Sequence, residues 1–284
     1  MSTSQIILLG AVAGLTIFLG LPVGRIRGIS VMGRALLNAG AAGVLVFLLV
    51  ETAAHAFTPV EHAADDRAWS SLAGRGAVFV GCFGLGLLGL VYYDRWSKRR
   101  ARHISSGTGA SMGPGAASVA EFTREGRAAA LTDAQRVALM IAVGIGIHNF
   151  AEGLAIGQAA KSDLTNLAVL LVVGFALHNA TEGFGIVAPL TSGSERPSWG
   201  FLGLLGLIAG GPTFVGTVVG QAWTSELLSI AFLSLAAGSI LYVVVALLRV
   251  ATKLDHEPMH VMWGLFLGLV VGFGTELVLA AAGL

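Results

Sequence analysis

Residues 134–160 read AQRVALMIAVGIGIHNFAEGLAIGQAA, an apolar segment with a histidine and a carboxylate near its middle. Spanning the hydrocarbon core of a bilayer, about 30 Å, takes about 20 mostly apolar residues in a helix. A carboxylate at the centre of a membrane helix costs about 2.5–3.5 kcal/mol on insertion scales, so such residues usually face a bundle interior and have a partner there. The segment therefore predicts a membrane helix that carries a polar site.

A second copy of the polar phrase lies in the next apolar segment, since HNFAEG at 148–153 recurs as HNATEG at 178–183. In each copy histidine and glutamate are four residues apart, which places them on one helical face. Each histidine lies about 22 Å from the start of its segment at the helical rise of 1.5 Å per residue. The short turn at 161–163 makes the two helices antiparallel neighbours. Together they present a ligand set for zinc or ferrous iron: His148, Glu152, His178 and Glu182.

Composition independently indicates a polytopic membrane protein. The chain has 284 residues, of which 55% are hydrophobic and 12% are charged, whereas soluble domains carry roughly 25% charged residues. The 40 glycines fit helices that approach each other closely in lipid. A formal net charge of +1 gives no reason to expect a nucleic-acid partner. The single cysteine, Cys82, excludes an internal disulfide.

The hydrophobic pattern predicts an all-α bundle of eight transmembrane helices in a single domain, 1–284. Short polar segments separate the predicted spans, which are 5–23, 35–57, 72–93, 134–160, 164–190, 199–221, 226–249 and 259–282. The one long connection, 95–132, starts with basic residues and continues with a stretch rich in Gly and Ser. That composition is typical of a flexible loop, and we expect the loop to be cytoplasmic.

The distribution of basic residues predicts the orientation in the membrane. With the N-terminus outside, all but three of the 17 Lys and Arg residues fall on the inner side, and the exceptions are Arg67, Arg75 and Lys161. Because cytoplasmic segments carry an excess of Lys and Arg, we expect both termini outside the cell, in a multi-pass protein of the cell membrane.

Other polar residues within the spans have two interpretations each. Asn149 and Asn179 either ligate through the amide oxygen or orient the neighbouring glutamate. Glu51 in the second span either completes the coordination shell or receives the ion from outside, and His55 is either a ligand or a solvated interfacial residue. Three more either line the entrance or make simple hydrogen bonds: Gln158, Gln221 and Glu276. We expect Gly153 and Gly183 to let neighbouring helices approach closely.

The twin phrases resemble the signatures of the ZIP (Zrt/Irt-like) family of divalent-metal transporters, which carry a His-Asn-x-Pro-Glu-Gly type phrase on helix four and a related phrase on helix five. The resemblance extends to 38–43, followed by Glu51, and to 236–242 in span seven. It implies eight helices with both termini outside and an elevator-like movement of spans one, four, five and six. It also implies a homodimer. The implied central metal ligands are His148, Glu152, His178 and Glu182, and Asn149 and Asn179 would occupy the adjoining second site.

Several positions depart from the family pattern. Ala151 replaces the usual proline of the helix-four phrase, and Asn179 replaces a frequent aspartate. Gly211 stands before Pro212 where some members carry a carboxylate. Late in span seven, where many members have acidic residues, this chain has Ala246 and Leu247. The His-rich cytoplasmic loop of many relatives is missing. These losses remove ligands for a second, bridged metal, so we expect one metal at the transport site.

The leading hypothesis is transport of a divalent cation into the cytoplasm by alternating access, with Zn²⁺ as the foremost substrate and Fe²⁺, Mn²⁺ or Cd²⁺ as others. This hypothesis involves no prosthetic group and no enzymatic reaction; the partners are the metal ion and the lipid bilayer. The alternative is an intramembrane zinc-dependent hydrolase, which needs an open coordination position and a general base, but the His-Glu-x-x-His signature is absent. A third class is a non-transporting membrane receptor that has kept the motifs.

Overall fold

A computed structural model describes residues 2–26, 28–106, 131–161, 165–192, 196–222 and 225–281. These residues form eight α-helices and no β-strand, which confirms the predicted all-α class. The helices are α1 (Thr3–Leu15), α2 (Val31–Asp65), α3 (Trp69–Ser106), α4 (Asp133–Lys161), α5 (Thr165–Val187), α6 (Trp199–Ala222), α7 (Glu226–Leu254) and α8 (Pro258–Ala281). Short 3₁₀ segments follow α1 at Thr16–Leu19 and Leu21–Arg25, and another follows α5 at Ala188–Ser192.

Each helix overlaps one predicted membrane span. Six segments of the described chain are long and apolar enough to cross a bilayer: Thr3–Arg25, Val31–Asp65, Trp69–Tyr93, Ala134–Gln158, Trp199–Ala222 and Glu226–Leu254. Helix α8 adds the shorter apolar stretch Pro258–Gly274, and α5 lies at the predicted fifth span. The chain is thus a polytopic membrane bundle.

Helices α2 and α3 are longer than the spans predicted for them. With 35 and 38 residues, they extend to about 52 and 57 Å at 1.5 Å per residue, well beyond the hydrocarbon core. The first part of the predicted loop 95–132 is therefore helical as far as Ser106. The reason lies in its composition, because residues 94–106 contain neither Gly nor Pro, the two residues that disfavour a helix most. Residues 107–130 of that loop lie outside the described part of the chain.

The first span, predicted as one continuous helix over 5–23, changes from α-helix to 3₁₀ geometry near its middle. The Thr16 hydroxyl donates a hydrogen bond to the Ala13 carbonyl at 2.6 Å, which competes with the regular helix ladder. Gly20 and Pro22 follow within six residues, and both lower helix propensity. The segment therefore crosses the membrane as a short α-helix joined to a tighter, longer-pitched continuation.

Glycine contacts divide the bundle into two helix groups. In the first helix group (α1, α4, α5 and α6), Gly14 of α1 and Gly210 of α6 pack backbone against backbone. The second helix group (α2, α3, α7 and α8) has the same kind of contact, at Gly43 of α2 against α8 and at Gly238 of α7 against α3. Such backbone approaches fix neighbouring helices firmly, because any side chain there would clash.

Contacts between the two helix groups involve mainly side chains. The Ser239 hydroxyl of α7 donates to the Gly144 carbonyl of α4 at 3.2 Å, and the Tyr242 hydroxyl lies 3.5 Å from the sulfur of Met140. Fully buried aliphatic side chains of both groups fill the space around these bonds; they include Leu45, Leu48, Ile141, Ile145, Leu202, Leu205, Ile240 and Leu247.

Polar contacts join helix ends at two separate places in the bundle. The Arg25 guanidinium donates to the Pro197 carbonyl and lies over the Trp199 ring, 4.6 Å from its centroid. At other helix ends, Arg75 forms an ion pair of 2.8 Å with Glu226. This grouping matches a chain that crosses the membrane back and forth, with Arg25 and Arg75 at opposite faces.

Asp255 orders the turn between α7 and α8. Its carboxylate accepts a hydrogen bond from the backbone N–H of Glu257 at 3.0 Å and lies 2.8 Å from Nδ1 of His260. These interactions, the backbone bond foremost, hold the pKa of Asp255 below its ordinary value. A carboxyl whose pKa is lowered by folding stabilises the fold above its ordinary pKa, and that stability is lost as the pH falls through the lowered value.

We therefore expect Asp255→Asn to lower the melting temperature of the purified protein slightly at neutral pH. The difference from the parent should shrink as the solution is acidified through the range where the parent carboxylate takes up its proton. Thermal melting in detergent across a pH series measures both effects. Glu257→Gln is the matched control, because Glu257 contributes its backbone N–H to the turn. Equal losses in the two variants, or a loss independent of pH, would contradict the assignment.

Candidate metal site

The first polar phrase lies on α4 and faces the interior of the bundle. His148 and Glu152 are 4% and 5% exposed, and Nε2 of His148 lies 3.1 Å from Oε1 of Glu152. The four-residue spacing thus brings an imidazole and a carboxylate into contact, as predicted. Ala151, in the place of a proline, leaves α4 continuous from Asp133 to Lys161.

The second phrase, on α5, brings its carboxylate to the same region. Glu182 is 2% exposed and interacts electrostatically with both His148 and Glu152 of α4. Residue 178 belongs to α5, but the side chain of His178 lies outside the described part of the structure. Among the described side chains no three His, Cys, Asp or Glu residues are grouped as metal ligands. The four-residue ligand set therefore stays a prediction, with three of its members near one another.

The asparagines of the two phrases are held in matching ways. Nδ2 of Asn149 donates to the Ala209 carbonyl of α6 at 3.1 Å, and Nδ2 of Asn179 donates to the Ala13 carbonyl of α1 at 3.0 Å. Both asparagines are fully buried. Because each nitrogen is fixed on a backbone carbonyl, each Oδ1 is directed away from that carbonyl. The Asn149 side chain also hydrogen-bonds the Glu182 carboxylate, so both roles, a ligand oxygen and a group that orients a glutamate, stay open.

The site contains buried oxygen atoms that no described donor satisfies. They are Oε2 of Glu152 and Oδ1 of Asn149 and Asn179, and the nearby Glu182 carboxylate has a hydrogen bond from the Asn149 side chain. An unsatisfied buried polar group costs about 1–3 kcal/mol, and an ionised one costs more. A buried group with more acceptors than donors is suited to a cation, because one cation satisfies several oxygens at once.

Helix α2 contributes to the site from the second helix group. Glu51 is half-buried and interacts electrostatically with Glu152 and His148. The neighbouring Thr52 is 4% exposed, and its hydroxyl lies 3.4 Å from Nδ1 of His148. The sequence analysis missed Thr52, because an isolated threonine in an apolar helix has no signal of its own. Its position one residue after Glu51 was the only available hint.

The remaining polar candidates are exposed or half-buried. His55 is exposed and its Nδ1 donates to the Glu51 carbonyl at 3.0 Å, so it is engaged by its own helix. Gln221 likewise donates to the Thr217 carbonyl at 3.3 Å, and Gln158 is half-buried. Glu276 of α8 is exposed and interacts electrostatically with Glu51.

The glycine that ends each phrase is a packing residue, as predicted. A Cβ atom at Gly153 would clash with the Thr213 carbonyl of α6, and one at Gly183 would clash with the Ile17 carbonyl of the 3₁₀ segment after α1. Each phrase therefore supplies a buried asparagine and a buried glutamate and a glycine that lets a neighbouring backbone approach. The phrase combines ligand chemistry with helix packing.

Comparison with known proteins agrees with this geometry. Residues 94–280, well over half of the chain, match the sequence profile of a family described as "ZIP Zinc transporter". No match was found among the curated proteins. The members of the matching family are membrane transporters of divalent metal ions, and the match gives no support to an intramembrane hydrolase. The eight-helix bundle, its paired His-Asn-x-x-Glu-Gly phrases and this match together establish that the chain belongs to the ZIP zinc transporter family.

Proposed function

We propose that the protein carries divalent transition-metal ions, zinc foremost, into the cytoplasm through the buried site between α4 and α5. The observation that carries this proposal is the convergence of two buried carboxylates, Glu152 and Glu182, from different helices beside His148. The proposed ligands are His148, Glu152, His178 and Glu182, with Asn149, Asn179 and Glu51 as additional oxygen donors. A transported cation balances the negative charge that these residues concentrate in the membrane.

The donor chemistry suits a transporter better than a permanent metal centre. Imidazole and carboxylate without thiolate accommodate Zn²⁺, and also Fe²⁺, Mn²⁺ and Cd²⁺. Transport needs binding that offsets dehydration of the ion and still permits release. Since imidazole and carboxylate must be deprotonated to bind metal, acid competes with the ion. With Gly211 in place of a carboxylate before Pro212, the set supports one metal at a time.

The two helix groups supply a basis for alternating access. The ligands of α4 and α5 belong to the first helix group, whereas Glu51 and Thr52 belong to the second. Backbone contacts at glycines hold each group together, while side chains such as Ser239 and Tyr242 form the seam between them. We infer that the first group moves against the second and carries the bound ion across.

A disulfide across the seam tests this inference. A Cβ atom at Gly144 would lie 3.8 Å from Cβ of Ser239, which equals the mean Cβ separation in disulfides, about 3.8 Å. We expect the Gly144→Cys/Ser239→Cys pair, in a Cys82→Ser background, to lose zinc uptake in proteoliposomes on oxidation. Reduction should restore it, because only the cross-link prevents the two groups from moving.

The single variants Gly144→Cys and Ser239→Cys are the controls, and oxidation should leave their uptake unchanged. Undiminished uptake by the fully cross-linked pair would overturn relative movement at this seam. Absence of zinc uptake by the reduced parent would instead overturn metal transport itself.

We further infer that both termini lie outside the cell, in a cell-membrane protein that forms a homodimer. The inference on orientation rests on the bias of Lys and Arg toward one side. Labelling of single cysteines near each terminus by an impermeant thiol reagent in whole cells distinguishes the two orientations. The homodimer rests on the family likeness, and the mass of the purified protein in detergent tests it.

A further inference from the structure

An apolar groove runs along the seam between the two helix groups. Its volume is about 320 Å³, and its walls come from α4 and α6 of the first group and α7 of the second; the wall residues are Val143, Ile147, Ile208, Pro212, Phe232 and Leu235. All six are exposed or half-buried, so the groove opens onto the outer surface of the bundle. The groove is therefore in contact with whatever surrounds the protein.

The groove lies at mid-depth of the membrane. Val143 and Phe150 are 10 and 17 residues past Asp133, which places them about 15 and 25 Å along α4. A hydrocarbon core about 30 Å thick covers that level, so acyl chains are the molecules available there.

The floor of the groove has no room for a side chain. Gly146 lies there, and a Cβ atom at this position would clash with the Ile208 carbonyl. Phe150 of α4 and Phe232 of α7 bridge the two groups, with ring centroids 4.8 Å apart. Phe150 thus joins the seam, while its neighbours Asn149 and Glu152 belong to the buried site.

We propose that this groove binds one acyl chain of a bilayer phospholipid. The wall is formed by aliphatic, aromatic and proline side chains, so it offers no side-chain hydrogen bond to a polar headgroup or ligand. Its volume is at the lower end of the range for small-molecule sites, about 300–1,000 Å³, which suits a single flexible chain. An empty space there would lose dispersion contacts along all three helices, and a chain restores them.

The bound chain has a consequence for transport, which rests on the proposed movement of the helix groups. Because α7 belongs to one group and α4 and α6 belong to the other, the width of the groove changes when the groups move. A flexible chain adapts to that change, whereas a rigid side chain in the same space resists it. The lipid therefore acts as a deformable filler at the moving seam.

Photolabelling by a phosphatidylcholine with a diazirine at mid-chain tests the site in proteoliposomes of the parent protein. We expect label at Val143 and Leu235 to exceed that at Val80 of α3 several-fold. Lipid that merely surrounds the bundle predicts the reverse order, since Val80 is 69% exposed and Val143 only 37%. That reverse order would overturn the proposal. A diazirine next to the headgroup should label the groove weakly, and equal labelling by both probes would also overturn a chain site.

Filling the groove tests its role. We expect Val143→Trp to lose groove label several-fold and to slow zinc uptake several-fold, with zinc binding retained. Val80→Trp is the matched control and should change none of these. Unchanged groove label in Val143→Trp would overturn the chain site, and lost label with parental uptake would overturn its effect on transport. Both outcomes leave zinc uptake by the parent intact, so they are distinct from failure of the proposed function. If Val143→Trp does not fold, the label distribution on the parent decides.

Discussion

Replacing Glu152 and Glu182 together by glutamine is expected to abolish zinc uptake while the protein still inserts and folds. Glutamine keeps the volume and one oxygen acceptor but removes both negative charges from the buried site. Even residues that only orient metal ligands change affinity about 10–100-fold when mutated, so loss of two charged ligands should exceed about 100-fold. Radioactive zinc uptake in proteoliposomes and zinc binding in detergent measure the two effects separately.

Glu61→Gln is the matched control for this charge removal. Glu61 is an exposed carboxylate near the end of α2, distant in sequence from both phrases, and its variant should transport like the parent. Gel filtration and thermal melting establish that the double variant is folded. Parental uptake by the folded double variant would refute the assignment of the site.

The second large effect is expected from the glycines that end the two phrases. We expect Gly153→Val to destabilise the protein severely, because its side chain would push against the Thr213 carbonyl of α6. Overpacking in a well-packed interior costs about 1–3 kcal/mol or more, and a rigid backbone cannot move aside as a side chain can. Gly183→Val should behave alike, because it faces the Ile17 carbonyl. Yield of monodisperse protein and its melting temperature measure the loss.

Gly203→Val of α6 is the control for these two variants. No atom lies within 4 Å of a Cβ at Gly203, so the added side chain meets open space. We expect parental yield and melting behaviour. If Gly153→Val and Gly203→Val melted alike, glycine packing would not explain the last position of the phrase.

The sequence was sufficient to predict the helices and the shared helical face of His148 and Glu152. Eight apolar stretches of membrane length are visible without a structure, because lipid permits few alternatives to a helix. The repeated phrase was equally informative, since histidine and glutamate four residues apart must share a helical face. Proximity of Glu152 to Glu182 followed from the short connection between α4 and α5.

What the sequence could not predict depends on which helices meet. The carbonyls of Ala13 and Ala209 hold the two asparagines, yet alanine carbonyls have no pattern in a sequence. Thr52 reaches His148 only because α2 packs in one particular register against α5 and α7, the two helices that also contact α4. The division of glycines between the two helix groups, and the groove at their seam, likewise arise from tertiary packing.

The change of geometry within the first span affects how far that segment reaches. A 3₁₀ helix rises about 2.0 Å per residue and an α-helix about 1.5 Å. The nine 3₁₀ residues in Thr16–Leu19 and Leu21–Arg25 therefore gain about 4–5 Å over an α-helix. That extra length is comparable to the 4.6 Å between the Arg25 guanidinium and the Trp199 ring. Rewinding the segment into an α-helix would shorten it by nearly one helical turn and draw Arg25 out of reach of its aromatic partner.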